Sequence, residues 1–281
     1  MNKLNENIIL KYNEWKEGYN RKENDIKIKI RNWISNRVDS DIFKISDDGK
    51  HIDINGVLNI LDEDLIDGKF PVPFGKCTDF FLCYNCDLLT SLVGAPEEVG
   101  REFDCHYCKS LTSLVGAPKK VRNFNCSSCH LLTSLEGVPE EVGGHFDCHY
   151  CKSLTSLEGV PEEVGGNFNC SHCYSLTSLE GLSKEIGGYF DCHCCFSLTS
   201  LEGVPEYVDG IFFNCSDCEN LTSLEGAPKK VGGDFHCENC PKLTSLEGLP
   251  KEIGGDLYLD RKWKGKIPKD IIIKGRKRWI E

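Results

Sequence analysis

Eight Cys-x-x-Cys pairs recur along the chain, with first members Cys83, Cys105, Cys126, Cys148, Cys170, Cys192, Cys215 and Cys237. Two such pairs brought together form the tetrahedral thiolate site of zinc knuckles and ribbons, so metal binding is the first chemistry these residues suggest. A second pattern overlaps the first. The residues flanking the first cysteine alternate by unit as Asp104/His106, Asn125/Ser127, Asp147/His149, Asn169/Ser171, Asp191/His193 and Asn214/Ser216, and His236 sits beside Cys237. A carboxylate and an imidazole two residues apart share one face of a strand, and such a pair is two-thirds of a catalytic triad.

Neither pattern leads directly to a reaction. The cysteine pairs recur at a fixed period. The first cysteine gives way to Ile60 and Leu259 in the outer units, and Lys262 takes the place of the second in the last. A metal ligand is not exchanged for leucine without loss of the site, whereas cysteine as a small apolar filler tolerates the exchange. Core packing is therefore the first reading of the thiols; zinc bound by the Cys-x-x-Cys ladders is the alternative, and disulfides are a third. The Asp-x-His units offer no serine or cysteine nucleophile in a pocket of the same unit, and triads are single constellations rather than ladders. No enzyme and no cofactor is expected. Asp104, His106, Asp147, His149, Asp191, His193 and His236 are instead candidate partner-binding residues on a strand face. A carboxylate beside each imidazole is expected to raise its pKa, making binding there change between about pH 6 and 8.

The elements that carry these residues come from one repeated unit, Phe-x-Cys-x-x-Cys-x-x-Leu-Thr-Ser-Leu-x-Gly-x-Pro-x-x-Val-Gly-Gly-x. Successive first cysteines are 22, 21, 22, 22, 22, 23 and 22 residues apart. The irregular steps fall between the Pro-x-x-Val stretch and the Phe, which marks that stretch as a loop. Leu58-Asn59-Ile60 and Leu257-Tyr258-Leu259 add a degenerate unit at each side, for about ten coils. A period of this length with a short strand and a Leu-x-x-Leu turn predicts a leucine-rich-repeat solenoid, in which no unit buries its apolar face alone. Phe and Cys two apart point inward from a parallel strand on the concave face. The return path, rich in Pro and Gly, excludes a helix and predicts turns and polyproline-like backbone on the convex face. The Thr-Ser columns (Thr112, Thr133, Thr155, Thr177, Thr199) are read as turn chemistry rather than a ligand-binding ladder.

The Leu-Thr-Ser-Leu-x-Gly-x-Pro segment followed by a short strand resembles the compact leucine-rich repeats of bacterial effectors. It resembles more closely a group of Leu-Thr-Ser-Leu-Glu-Gly-x-Pro repeat proteins encoded by phages and other viruses. The likeness covers roughly residues 50–265. In that group the strand usually reads Phe-x-Cys-x-x-Asn, the Asn bonding the turn backbone as a rung of an asparagine ladder. Here Cys86, Cys108, Cys129, Cys151, Cys173, Cys195, Cys218 and Cys240 take that rung. The resemblance implies a right-handed solenoid and a viral or phage product acting inside its host.

Caps are expected at both ends. Ile8, Ile9, Tyr12, Trp15 and Tyr19, then Ile26, Ile28, Ile30, Trp33 and Ile34, predict a helical N-terminal cap over 1–45. The solenoid would span 46–262, and 263–281 would form a C-terminal cap with a basic tail. Cys77 and Cys194 lie outside the ladders, and Cys194 is the thiol expected to react first. The net charge of −11 is uneven: residues 46–259 hold 14 basic and 34 acidic side chains, or −20. So acidic a body repels phosphate backbones, so nucleic acid is not expected at the solenoid. No apolar run reaches signal-peptide or membrane-span length, which predicts a cytoplasmic chain with reduced cysteines. The function expected is a monomeric scaffold binding a protein through its concave face, with a host protein as a candidate partner.

Overall fold

The computed structural model describes residues 25–34 and 40–281. It is a parallel solenoid in which most coils contribute two short strands, merged into one at Glu98–Asp104 and Lys120–Asn125. The first is the strand required by the Phe-x-Cys spacing. Phe146–Asp147 pairs with Phe168–Asn169, Phe opposite Phe and Asp opposite Asn. This phenylalanine ladder runs from Leu58–Asn59 to Lys277–Ile280 and has eleven rungs. Eight stacked phenylalanines, Phe81 to Phe235, form its spine, with ring centroids 5.0–5.9 Å apart.

The return path departs from the expectation of turns alone. The residue before each Val, and the Val itself, form a second parallel ladder, with Lys120 opposite Glu141, Val121 opposite Val142, and Val164 opposite Ile186. Its valines and isoleucines are buried while the preceding Glu or Lys is turned outward. Two residues are too few for an alternating pattern to be visible in the sequence, and the Pro-Gly richness around them masks the strand. The Gly-Gly corner joins the two ladders. A Cβ on Gly187 would collide with the carbonyl oxygen of Gly165 one coil back, so at that rung the coils approach at a separation only glycine admits, whereas Arg122 and Asp209 take the equivalent place in the two coils of irregular length. The irregular steps fall at this corner: Val121 to Phe124 is one residue shorter, and Val208 to Phe213 one longer, than Val142 to Phe146.

Cys-x-x-Cys is a tight turn rather than a strand. Its third residue takes left-handed backbone, with φ of 56 to 58° at Tyr107, Ser128, Tyr150, His172 and Cys194. As the chain turns, the carbonyl of the first cysteine leaves the backbone ladder. The second thiol of the next coil donates to it: Cys108 Sγ to Cys83 O, Cys129 to Cys105, Cys151 to Cys126 and Cys173 to Cys148, at 3.1–3.3 Å, while Cys148 O also accepts from the N–H of Cys151 at 3.3 Å. The asparagine-ladder rung is thus occupied by a thiol doing a weaker version of the same hydrogen bonding. Both leucines of Leu-Thr-Ser-Leu are buried. The Ser hydroxyl accepts from the backbone N–H two residues on, as Ser156 does from Glu158 and Ser178 from Glu180, which is turn chemistry.

At the N-terminal end, residues 25–34 are helical. Ile30 is fully buried, and Ile26, Trp33 and Ile34 pack on the core while Ile28 faces outward. The Trp33 ring lies 5.1 Å from Phe43 and 5.5 Å from Phe74, which seats the helix on the first coils. The candidate helix around Ile8 to Tyr19 lies outside the described residues. An antiparallel pair, Phe43–Ile45 with Ile52–Ile54, leads into the ladders.

At the C-terminal end two further strands join the ladders. Ile272–Ile273 pairs with Glu252–Ile253, and Lys277–Ile280 with Leu257–Asp260, which makes one coil more than the ten expected. Lys274 and Arg278 of the basic run are held by Glu252 and Asp256. Trp263 is buried and Trp279 partly so. No described helix is long and apolar enough to cross a membrane.

Candidate functional site

Six successive phenylalanine strands end at the Asp or Asn before the first cysteine, Asp104 to Asn214, and that side chain is committed to the turn that follows. Asp104 Oδ1 accepts from the backbone N–H of His106 at 3.0 Å and faces its Nδ1 at 2.7 Å. Asp147 does the same for His149 (3.0 and 2.7 Å), and Asp191 for His193 (3.1 and 2.8 Å). In the intervening coils Asn125, Asn169 and Asn214 each accept from the N–H of Ser127, Ser171 and Ser216 at 3.0 Å. The double period therefore preserves one turn-capping bond and varies only what the second side chain adds. The carboxylates do not stand out as an open grid: Asp104 and Asp191 are only 7% and 8% exposed. The imidazoles remain about a quarter to a third exposed. His236 pairs instead with Glu238 Oε1 at 3.2 Å and stacks on Tyr258 at 4.0 Å. The hydrogen bond that His193 donates to Asp191 raises the pKa of His193.

The broad concavity of the described molecule is elsewhere, along the outward side of the valine ladder. An open groove of about 1510 Å³ runs there from Lys76 to Asp209, and none of the seven candidate residues lines it. Its lining carries eight carboxylates against four basic side chains. Lys76–Glu98, Lys120–Glu141 and Lys184–Glu162 pair between neighbouring coils. Glu140, Glu163 and Glu185 are exposed and make no ion pair among the described residues. The sequence signal for this groove was the Glu or Lys before each Val, repeated once per coil; it was legible as charge but not as a surface, because the strand beneath it was not recognised.

A third feature joins two coils. His172 occupies the left-handed position of one turn, and the next coil brings His193 and Cys194 beside it. The two Nε2 atoms are 3.0 Å apart, and the ligating atoms of all three residues lie within 4.8 Å of one another. Among the described residues this is the group of three or more metal-ligating side chains, and no ladder cysteine belongs to such a group. Burial, then the neighbouring His193, lowers the pKa of His172. All seventeen other cysteines are buried free thiols, and Cys194 is half-buried. Burial, reinforced by Asp217, pushes the Cys194 thiol up to about 11. Within the ladders burial pushes Cys86 up to about 12 and Cys215 to about 11, so these thiols are protonated at neutral pH.

No protein-family model matches this sequence, and no curated protein does either. Among solved structures the chain is similar to a leucine-rich-repeat protein of T. pallidum (TpLRR), with 19% identity over 73% of this chain and 88% of that one and a TM-score of 0.33. The assignment as a repeat solenoid rests on the two ladders themselves.

Proposed function

We propose that this chain is a non-catalytic interaction scaffold whose valine-ladder groove holds an extended, basic segment of a protein partner. The observation that carries the reading is the groove's charge: an open trough one rung per coil wide, with Glu140, Glu163 and Glu185 left without cationic partners. A partner's Lys or Arg side chains, spaced along an extended backbone, would pair with these carboxylates, which occupy two adjacent registers, Glu163 and Glu185 directly before the ladder Val or Ile and Glu140 one residue earlier. The side chains along the trough are long and exposed, so they steer and select more than they bury area. The imidazoles of His106, His149, His193 and His236 are candidates for a second contact strip; their neighbouring carboxylates are consumed in the turns. The protonated, buried state of the ladder thiols, and their role as donors to carbonyls, favours the scaffold reading over zinc bound along the ladders. The resemblance to phage and viral repeat proteins favours a partner inside a host cell.

The test uses two labelled peptides of equal length, one alternating Lys with Val and one alternating Glu with Val, followed by fluorescence anisotropy. Binding of the lysine peptide alone, weakening as salt rises, is expected. The triple variant Glu140→Lys, Glu163→Lys, Glu185→Lys should lose that binding. Reversing the exposed Glu158, Glu180 and Glu202, which lie outside the groove but change net charge equally, should leave most of it. Equal loss in both triple variants would reduce the effect to net charge and overturn the assignment.

A further inference from the structure

We infer that His172, His193 and Cys194 form a binding site for one divalent zinc-class metal ion, with a fourth coordination position open to solvent. This site is separate from the groove and from the cysteine ladders, and it does not depend on the scaffold reading.

Three geometric facts converge. The two imidazoles present Nε2 to Nε2 at 3.0 Å, and Cys194 Sγ completes a triangle no wider than 4.8 Å. A tetrahedral zinc centre with bonds of about 2.0–2.1 Å to nitrogen and about 2.3 Å to sulfur needs ligand separations of roughly 3.3–3.7 Å. The three side chains reach that spacing with shifts of tenths of an ångström between nitrogens and about an ångström at the sulfur. Second, His193 is already oriented as metal-bound histidines are: its Nδ1 meets Asp191 Oδ1 at 2.8 Å, which places the proton on Nδ1 and leaves Nε2 with a free lone pair. Third, the cluster is backed by rings. Tyr150 stacks on His172 at 4.1 Å, and the Tyr174 ring meets the His172 ring edge-on at 6.0 Å. On the other side Cys194 lines an open cleft of about 640 Å³ shared with Asp217, from which a water can take the fourth position. On ligation Cys194 loses its thiol proton to solvent and binds as thiolate, and His172 carries its proton on Nδ1.

The repeat makes the site from unlike coils. His172 and Cys194 share one register of the turn, where other coils carry Tyr107, Ser128, Tyr150, Asp217 and Asn239, and His193 stands one residue earlier. Twenty residues between His172 and His193, one fewer than a full coil places between equivalent positions, bring the two registers together. In the absence of metal the same atoms form a hydrogen bond between the imidazoles, and that is the competing account.

The probe is Co²⁺, added to chelator-treated protein kept reduced without thiols. One equivalent should bind with visible bands of tetrahedral intensity and a near-ultraviolet thiolate-to-cobalt charge-transfer band, and Zn²⁺ should displace it. Each test variant installs a residue that the repeat already uses at that register: Cys194→Ser as at Ser128, His172→Tyr as at Tyr150, His193→Ser as at Ser171, and Asp191→Asn as at Asn169. All four should therefore fold, which circular dichroism checks. Cys194→Ser should abolish the charge-transfer band, and His172→Tyr and His193→Ser the tetrahedral spectrum. Asp191→Asn should weaken binding by about 10–100-fold. Absence of the spectrum from wild-type protein overturns the site, and so does a spectrum that survives Cys194→Ser, which would move the metal to the ladder thiols.

Discussion

Replacing Cys173 by alanine and by serine separates the two things a ladder thiol can do. The side chain is fully buried, and its Sγ lies 3.3 Å from the carbonyl oxygen of Cys148 in the preceding coil. Alanine removes both the sulfur and the donor. The Cys148 carbonyl keeps the backbone N–H of Cys151 at 3.3 Å, so losing the thiol donor costs about 0.5–1.5 kcal/mol, that of one net hydrogen bond. Withdrawing one sulfur-sized apolar group from the core adds roughly 1 kcal/mol. Cys173→Ala should therefore lose about 1.5–2.5 kcal/mol. Serine keeps a donor, and a stronger one, but its shorter side chain lengthens the bond; the expected loss is about 1–2 kcal/mol. The measurement is urea unfolding of reduced protein, followed by circular dichroism and by hydrogen exchange of the segment around residues 168–176, because stacked repeats need not unfold in one step. If the thiol were only filler, serine would be the worse replacement, since it buries a hydroxyl for no return. A serine variant less stable than the alanine variant would refute the hydrogen-bonding ladder.

Phe168→Ala, in the middle of the ring stack, should cost about 3–5 kcal/mol in the same experiment and should loosen its neighbours Phe146 and Phe190 in exchange measurements. In chelator-treated protein, NMR titration should place His193 above and His172 below the ordinary imidazole value, given the groups around them: Asp191, Asp217 and His149. The raised value at His193 supplies stability that is present below the ordinary value and lost as pH rises through the folded one. The lowered value at His172 supplies stability that is present above the ordinary value and lost as pH falls through the folded one. Asp191→Asn should bring His193 down; an unmoved midpoint would break the assigned pair. Of the eighteen cysteines, Cys194 alone should react with a soluble disulfide reagent in native protein. Its rate should climb about tenfold per pH unit through the alkaline range, and a fast phase that persists in Cys194→Ser would assign it to another thiol.

The periodicity of the sequence carried the solenoid, the inward Phe and Cys, the turn role of Thr-Ser and the helix around Ile30, because each follows from spacing within one coil. What escaped it depends on relations between coils or on elements too short to show a pattern. The valine strand is two residues long amid Pro and Gly, so nothing in its own composition distinguishes it from a turn; it exists because the next coil supplies the partner. The last rung was hidden by its basic run, which reads as solvated until Glu252 and Asp256 are placed opposite it. The Asp-x-His column was correctly paired but misjudged in exposure: the alternation with Asn-x-Ser concealed that both versions serve the same backbone bond. His172 and His193 belong to different registers, and a column-by-column reading never sets them side by side.

The coils amount to an alignment of one chain with itself, and that allows folding constraints to be separated from positions left free. Phe, both cysteines, both leucines and the turn Ser recur because each fills a space or closes a bond that the regular coils repeat. The left-handed position between the cysteines recurs only in its backbone angle. It carries Asn, Tyr, Ser, His, Cys and Asp in turn, so its geometry is fixed while its side chain is not. The residue before each Val is likewise fixed in direction and varied in charge, running through Lys, Glu and Tyr along the groove. A side chain that the fold aims but does not use is where a repeat protein can acquire specificity without losing stability. Binding chemistry should therefore concentrate in those two columns, and exchanging residues between coils within either column should alter ligand binding while leaving the unfolding midpoint close to wild type.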